Sequence, residues 1–137
     1  MRTLHIGLRV ADLERSLAFY TALGYEVVGT VPQTEFGSLA MLKLPDDEFV
    51  TLELVHRPDI GRIDPQGLNH LVIKVESMTA TIADLAAKGV TAEPPGSPDG
   101  SHELWTSWIT DPDGYRIEMV QWPVGHADGM SESDFFR

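Results

Sequence analysis

The chain has 137 residues and a hydrophobic fraction of 42%, enough for one domain with its own core and too apolar for a disordered chain. Its formal net charge of −11 argues against a nucleic-acid partner, because phosphate binding needs a basic surface. It has no cysteine, which excludes disulfide scaffolds, thiolate metal sites and a cysteine nucleophile; any metal must be held by His, Asp, Glu or backbone oxygen.

The N-terminus runs straight into a strand-like pattern, with no signal-like leader and no long apolar segment. A cytoplasmic protein without a membrane partner is therefore expected. Residues 3–10 alternate: Leu4, Ile6, Leu8 and Val10 share one face, and His5, Gly7 and Arg9 the other, the period of a half-buried strand. Asp12 is placed to cap a helix over 13–23, with Leu13, Leu17, Tyr20 and Leu23 toward the core, and Gly24 suits its end. Three further strands are expected near 25–31, 38–44 and 49–56. Residues 58–67, with Pro58, Gly61, Pro65 and Gly67, read as a linker.

The pattern then repeats. Residues 70–93 align without a gap on residues 5–28 at an offset of 65, with His5 on His70 and Gly24 on Gly89. Only five of those 24 positions are identical, but the same offset lays residues 46–55 on 111–120 and pairs Glu53 with Glu118. Two histidines and two glutamates paired by one gapless offset are hard to attribute to chance. Module two is expected to contain a strand at 69–75, cap Ser77, a helix at 78–88, a stop at Gly89, and strands near 90–93, 103–110 and 115–122. The Asp111-Pro-Asp-Gly114 run reads as a turn before the last strand. The whole is an α+β domain over 1–122, with module one at 1–57 and module two at 68–122, each βαβββ, together a curved mixed sheet around a cup. The tail 123–137 is expected to be irregular, anchored by Trp122 and Phe135–Phe136.

Alternation also sorts faces. Glu53 points away from Leu52 and Leu54, His70 from Leu71 and Ile73, and Glu118 from Ile117 and Met119. One face is greasy and helix-covered; the other carries His5, Glu53, His70 and Glu118 together with cations at Arg9, Lys74, Arg57 and Arg116. Two imidazoles and two carboxylates suit one divalent ion per site, Zn, Ni, Co or Mn. Four protein ligands on an octahedral ion leave room for two substrate oxygens, where the ion can polarise a carbonyl while a glutamate moves a proton between neighbouring carbons. The inward cations point to an anionic small-molecule substrate. His56, His102 and His126 lack symmetric partners and read as surface or rim residues.

Residues 1–28, the segment NHLVIKVE and the closing DPDGYRIEMVQW resemble lactoylglutathione lyase (glyoxalase I) of the vicinal oxygen chelate superfamily, and the likeness covers residues 1–122. It implies paired βαβββ modules around a metal-binding cup, and a lyase that isomerises a 2-oxoaldehyde–thiol hemithioacetal to a 2-hydroxyacyl thioester through a metal-bound enediolate, as in methylglyoxal detoxification. By that likeness His5, Glu53, His70 and Glu118 are ligands, Glu118 the main base and Glu53 its counterpart. It also implies a homodimer whose sites are shared between chains. Arg9 matches the family pattern, and Arg9, Arg57 and Lys74 are the candidate substrate contacts. The pattern departs where the family holds glutathione: Arg57 stands where Asn is usual, Gln66 where Arg is common, and the loop 94–103 has no Lys. The thiol is therefore open.

Three rivals share the fold. A dioxygenase or fosfomycin-type transferase needs only three ligands, which Glu53 disfavours. A thioester epimerase would use the same enediolate chemistry. A metal-free, bleomycin-resistance-like drug-binding protein predicts an aromatic cup, for which Trp105, Trp108 and Trp122 are candidates.

Overall fold

The computed structural model describes residues 1–135. The first alternating segment forms strand β1 (Ile6–Val10), with Leu8 and Val10 buried. It begins later than the alternation predicts. Leu4 is 68% exposed and Ile6 38%, so the apolar side is covered only at the strand's end. Helix α1 (Leu13–Leu23) starts at Asp12, whose carboxylate accepts from Arg15 N at 3.0 Å. It stops at Gly24, whose φ of 110° is costly for any residue with a Cβ. Then follow β2 (Glu26–Thr34), β3 (Gly37–Lys43) and β4 (Leu52–His56). The sheet order is β1-β4-β3-β2, with β1 parallel to β4 and the other pairs antiparallel.

The second set is β5 (Leu71–Lys74), α2 (Met78–Ala87), β6 (Trp105–Thr110) and β7 (Arg116–Gln121). Ser77 caps α2 by accepting from Ala80 N. The order is β5-β7-β6, with β5 parallel to β7 and β6 antiparallel. The strand expected near 90–93 is replaced by looser pairing. Glu93 N donates to the Trp108 carbonyl, and Gly96 exchanges two hydrogen bonds with Thr106. Pro94 and Pro95 lie between those contacts and have no N–H to continue a ladder. Module two is therefore βαββ with one isolated bridge.

The fold is α+β, with two small mixed sheets and two α-helices. It divides into two compact units: Met1–Gly67 with Asp111–Gly114, and Leu68–Thr110 with Tyr115 onward. In the first unit Leu8, Val10, Ala40, Leu42, Leu52 and Leu54 are buried with Tyr20 and Tyr25. The rings of Phe19, Tyr20 and Tyr25 meet edge-on, with centroids 5.2 and 5.6 Å apart. In the second unit Ile109, Ile117 and Met119 are buried with Met78 and Leu85 of α2. The predicted tail is irregular except for a 3-10 turn at Glu132–Asp134. Trp122 anchors it by stacking on His126. Phe135 is 72% exposed, and Phe136 lies outside the described residues. No described helix is long and apolar enough to cross a membrane.

Candidate metal centre

The sequence repeat reappears in the strand pairing. In the first unit Ile6, Gly7, Leu8 and Arg9 pair with Leu52, Glu53, Leu54 and Val55. In the second, Leu71, Val72, Ile73 and Lys74 pair with Ile117, Glu118, Met119 and Val120. Every one of these partners keeps the offset of 65. Each histidine therefore stands just before a parallel edge strand, two residues ahead of the position facing its glutamate. Because the side-chain period is two, histidine and glutamate then share a face.

In the first unit the two side chains meet: His5 Nε2 lies 3.0 Å from Glu53 Oε2. The carboxylate only accepts, so Nε2 carries the proton in this pair. Gly7, opposite Glu53, has no side chain to cover the carboxylate. Met41 faces Glu53 from β3. A divalent ion at this pair would take imidazole Nε2 in place of the proton that the hydrogen bond uses, together with a carboxylate oxygen.

In the second unit His70 is oriented from behind. Its Nδ1 lies 2.6 Å from Asn69 Oδ1, an acceptor. The neutral ring therefore carries its proton on Nδ1 and presents the Nε2 lone pair outward. Trp108 packs edge-on against the imidazole at 5.2 Å and faces Glu118 directly across β6–β7. Glu118 is half-buried, and its carboxylate has no hydrogen-bond or ion-pair partner among the described residues. It is free to accept a proton or a cation. Among the described residues no group of three or more His, Asp or Glu is close enough to hold a metal ion.

The candidate substrate cations are less open than the sequence suggests. Arg57 holds Asp59 through two hydrogen bonds of 3.1 and 2.6 Å. These bonds, with the positive field of Arg9, keep the Asp59 carboxyl below the usual carboxylate range. Lys74 Nζ is held by Asp128 at 2.7 Å and Glu76 at 3.0 Å. Arg116 lies over Trp108 at 5.1 Å and pairs with Glu93 at 2.6 Å. An anionic ligand would displace carboxylates of this chain from Arg57 or Lys74.

Sequence reasoning missed several residues. Asn69 carried a signal only by standing next to His70. Asp111 and Asp113 sit in the expected turn, with Gly114 at φ 93°, and also do much more. Asp111 is buried and accepts from Tyr20 OH at 2.8 Å. The Asp113 carboxylate accepts from Ala11 N, Arg15 and Ser16 Oγ, all within 3.4 Å. Nothing local could reveal partners about a hundred positions away. His56 and His102 match the surface reading, being half-buried and exposed respectively. His126 is half-buried as well, and it stacks on Trp122 and pairs with Asp134.

The family model of the Glyoxalase/Bleomycin resistance protein/Dioxygenase superfamily matches residues 2–119. The chain belongs to this superfamily. A probable lactoylglutathione lyase of Vibrio cholerae is 33% identical over 92% of this chain and 94% of its own length. The lactoylglutathione lyase of Salmonella typhimurium is 30% identical over 88% and 93%. Among solved structures, the trypanothione-dependent glyoxalase I of Leishmania major superposes with a TM-score of 0.71 at 30% identity, over 88% of this chain and 86% of that one. The chain spans 35% of a longer plant relative, the probable chloroplastic lactoylglutathione lyase of Arabidopsis thaliana. The bacterial relatives named as lyases match over nearly their whole length at modest identity, the plant one over about a third, and the donor set of this chain fits a borderline divalent ion.

Proposed function

We propose that this protein is a metal-dependent glyoxalase I-like isomerase, working as a homodimer in the cytoplasm. The observation that carries the reading is the shared register: each histidine stands just before an edge strand, β1 or β5, and its glutamate lies on the parallel neighbour, β4 or β7, at the equivalent position. His5 and Glu53 of one protomer, with His70 and Glu118 of the partner subunit, would hold one divalent ion, Ni, Zn, Co or Mn. The edge positions of β1 and β5 leave both pairs open to a second copy. Names of relatives at about 30% identity support the activity class. The domain is read as 1–122, two modules joined by 58–67, with 123–137 as a tail.

The substrate is a hemithioacetal of a 2-oxoaldehyde with an anionic thiol. A bound ion supplies Lewis-acid polarisation of the substrate oxygens. Glu118, half-buried and with no partner among the described residues, removes the C1 proton. The C–H electron pair becomes the C1=C2 bond of an enediolate, and the C2 carbonyl π electrons move to its oxygen. The same carboxyl returns the proton to C2, while the hydroxyl proton passes from the C1 oxygen to the C2 oxygen. The product is a 2-hydroxyacyl thioester, with atoms balanced and no redox partner. Glu53 is the symmetric second carboxylate. Asn69 keeps the His70 lone pair outward, Trp108 walls the site beside Glu118, and Arg9, Arg57 and Lys74 are the candidate contacts for the thiol's carboxylates.

The test is an isomerase assay on methylglyoxal hemithioacetals of glutathione, trypanothione and simpler thiols, with protein stripped of metal and then reloaded with each ion. Thioester formation that returns only with metal supports the reading. A protein that takes up no divalent ion and turns over none of the adducts would instead be a metal-free binder, with Trp108 as part of its aromatic wall.

A further inference from the structure

The tail after β7 holds a cluster that the isomerase reading does not use. His126 lies over Trp122, with ring centroids 4.3 Å apart and planes at 11°. Its Nδ1 is 2.7 Å from the Ala127 carbonyl and its Nε2 is 2.6 Å from Asp134 Oδ1. Both neighbours are acceptors. A neutral imidazole has one N–H and can satisfy only one of them; the imidazolium satisfies both and adds a cation over an indole face. Asp134 is fixed in turn by Ser131 N at 2.7 Å. Two residues past His126, Asp128 reaches Lys74 Nζ of β5 at 2.7 Å.

We propose that residues 122–135 form a proton-operated strap, closed by the His126 imidazolium between Trp122 and Asp134, which seats the Asp128 carboxylate on Lys74 in the place an external carboxylate would take. The charged groups facing His126 are Asp134 from the 3-10 turn and, more distantly, Lys74 from β5; Asp128 and Glu76 act through Lys74. The Ala127 carbonyl and then Asp134 raise the imidazole above its ordinary value of 6.5, against smaller opposition from burial and from Lys74. Because the value is raised on closing, the closed strap has its full stabilisation below pH 6.5 and loses it as pH rises through the raised value. Lys74 matches Arg9 in the repeat, so the strap gates the cation of module two alone. The inference does not depend on the isomerase chemistry.

The experiment uses the full chain. Ring resonances of His126 are titrated by NMR, and the lysine amines are acetylated with acetic anhydride, the labelling of Lys74 being expressed relative to Lys88. The His126 midpoint is expected above 6.5 and lower in Asp134→Asn. Relative labelling of Lys74 should rise roughly two- to fivefold from about pH 5.5 to about pH 9. His126→Gln should show the high value throughout, and Asp128→Asn should raise labelling at low pH. Glu76→Gln, which leaves the strap intact, should preserve the pH dependence. A midpoint at or below 6.5, or Lys74 labelling that is equal in wild type and His126→Gln at every pH, overturns the proposal.

Discussion

The two modules share one register at the candidate site and differ in nearly everything around it. Module one builds four strands, with a long β2–β3 hairpin; module two builds three strands and a single bridge. In module one His5 and Glu53 already touch, over a glycine. In module two His70 is fixed by Asn69 and Trp108, Val72 stands where Gly7 stands, and Glu118 has no partner among the described residues. The register of the four candidate ligands is the same in both modules, and the residues around them differ. Symmetric candidate ligands with asymmetric support fit the proposed division of labour, in which one carboxylate moves a proton and the other mainly binds.

The sharpest way to break that comparison is to neutralise the two glutamates separately. Glu118→Gln should lower isomerase turnover by about 10²–10⁴-fold, the range for losing a general base. Glu53→Gln removes the same charge at the equivalent position and should cost less in turnover than in metal affinity. Equal losses of turnover in the two variants would show that the support is asymmetric and the chemistry is not.

The modules should also part under alkali. Tyr25 of module one is buried against Tyr20, and burial, with the negative field of Asp47, pushes its phenol up to about 12. Its counterpart in the repeat is Val90, which does not titrate. An unfolded tyrosine ionises near 10.0, so between the two values the native state holds a proton that the unfolded chain has lost. Stability therefore falls as pH rises across that window, by roughly 2–3 kcal/mol in all. Denaturant midpoints at about pH 9 and pH 11 should fall less in Tyr25→Phe than in wild type.

A smaller effect tests the support of the histidines. Asn69→Ala removes the acceptor behind His70 and should weaken zinc binding by about 10–100-fold, the usual scale for a partner that orients a ligand. Competition with a chelating dye measures it. The residue preceding His5 is Leu4, 68% exposed, so Leu4→Ala should leave zinc affinity within about twofold of wild type, as a surface change away from any special contact does.

How much of this was legible follows from the range of each signal. Strand faces, both helix starts, the Gly24 stop and the equivalence of His5 with His70 and of Glu53 with Glu118 are local or repeat-encoded, and they could be read directly. The repeat predicts a strand at 90–93, but none forms there, and Pro94 and Pro95 remove donors that a longer ladder would need. Leu4 and Ile6 continue the apolar period of β1 yet are exposed, because periodicity says which side a residue takes and not what covers it. Asp113 looked like a turn residue because Ala11, Arg15 and Ser16 lie about a hundred positions away. Three long-range contacts on one carboxylate cannot be inferred from a four-residue motif.

The smallest predicted effect separates local from tertiary support for the helices. Asp12 and Ser77 occupy the same repeat position, and each caps its helix by accepting from the backbone N–H three residues on, at 3.0 and 3.2 Å. Replacing either with Ala should cost about 1 kcal/mol from the lost cap alone. The costs should be nearly equal if capping is all that each residue does. The start of α1 has further support: Asp113 binds Ala11 N, Arg15 and Ser16 around the same turn. The first turn of α2 is held by Ser77 and by Gln121, which accepts from Met78 N at 2.7 Å. The α1 turn should therefore tolerate loss of its cap better, and Asp12→Ala should shift the denaturation midpoint less than Ser77→Ala. The reverse order would mean that the Asp113 carboxylate depends on Asp12 to position its donors, and the two acids at the start of α1 would then act as one unit, with non-additive losses in the double variant.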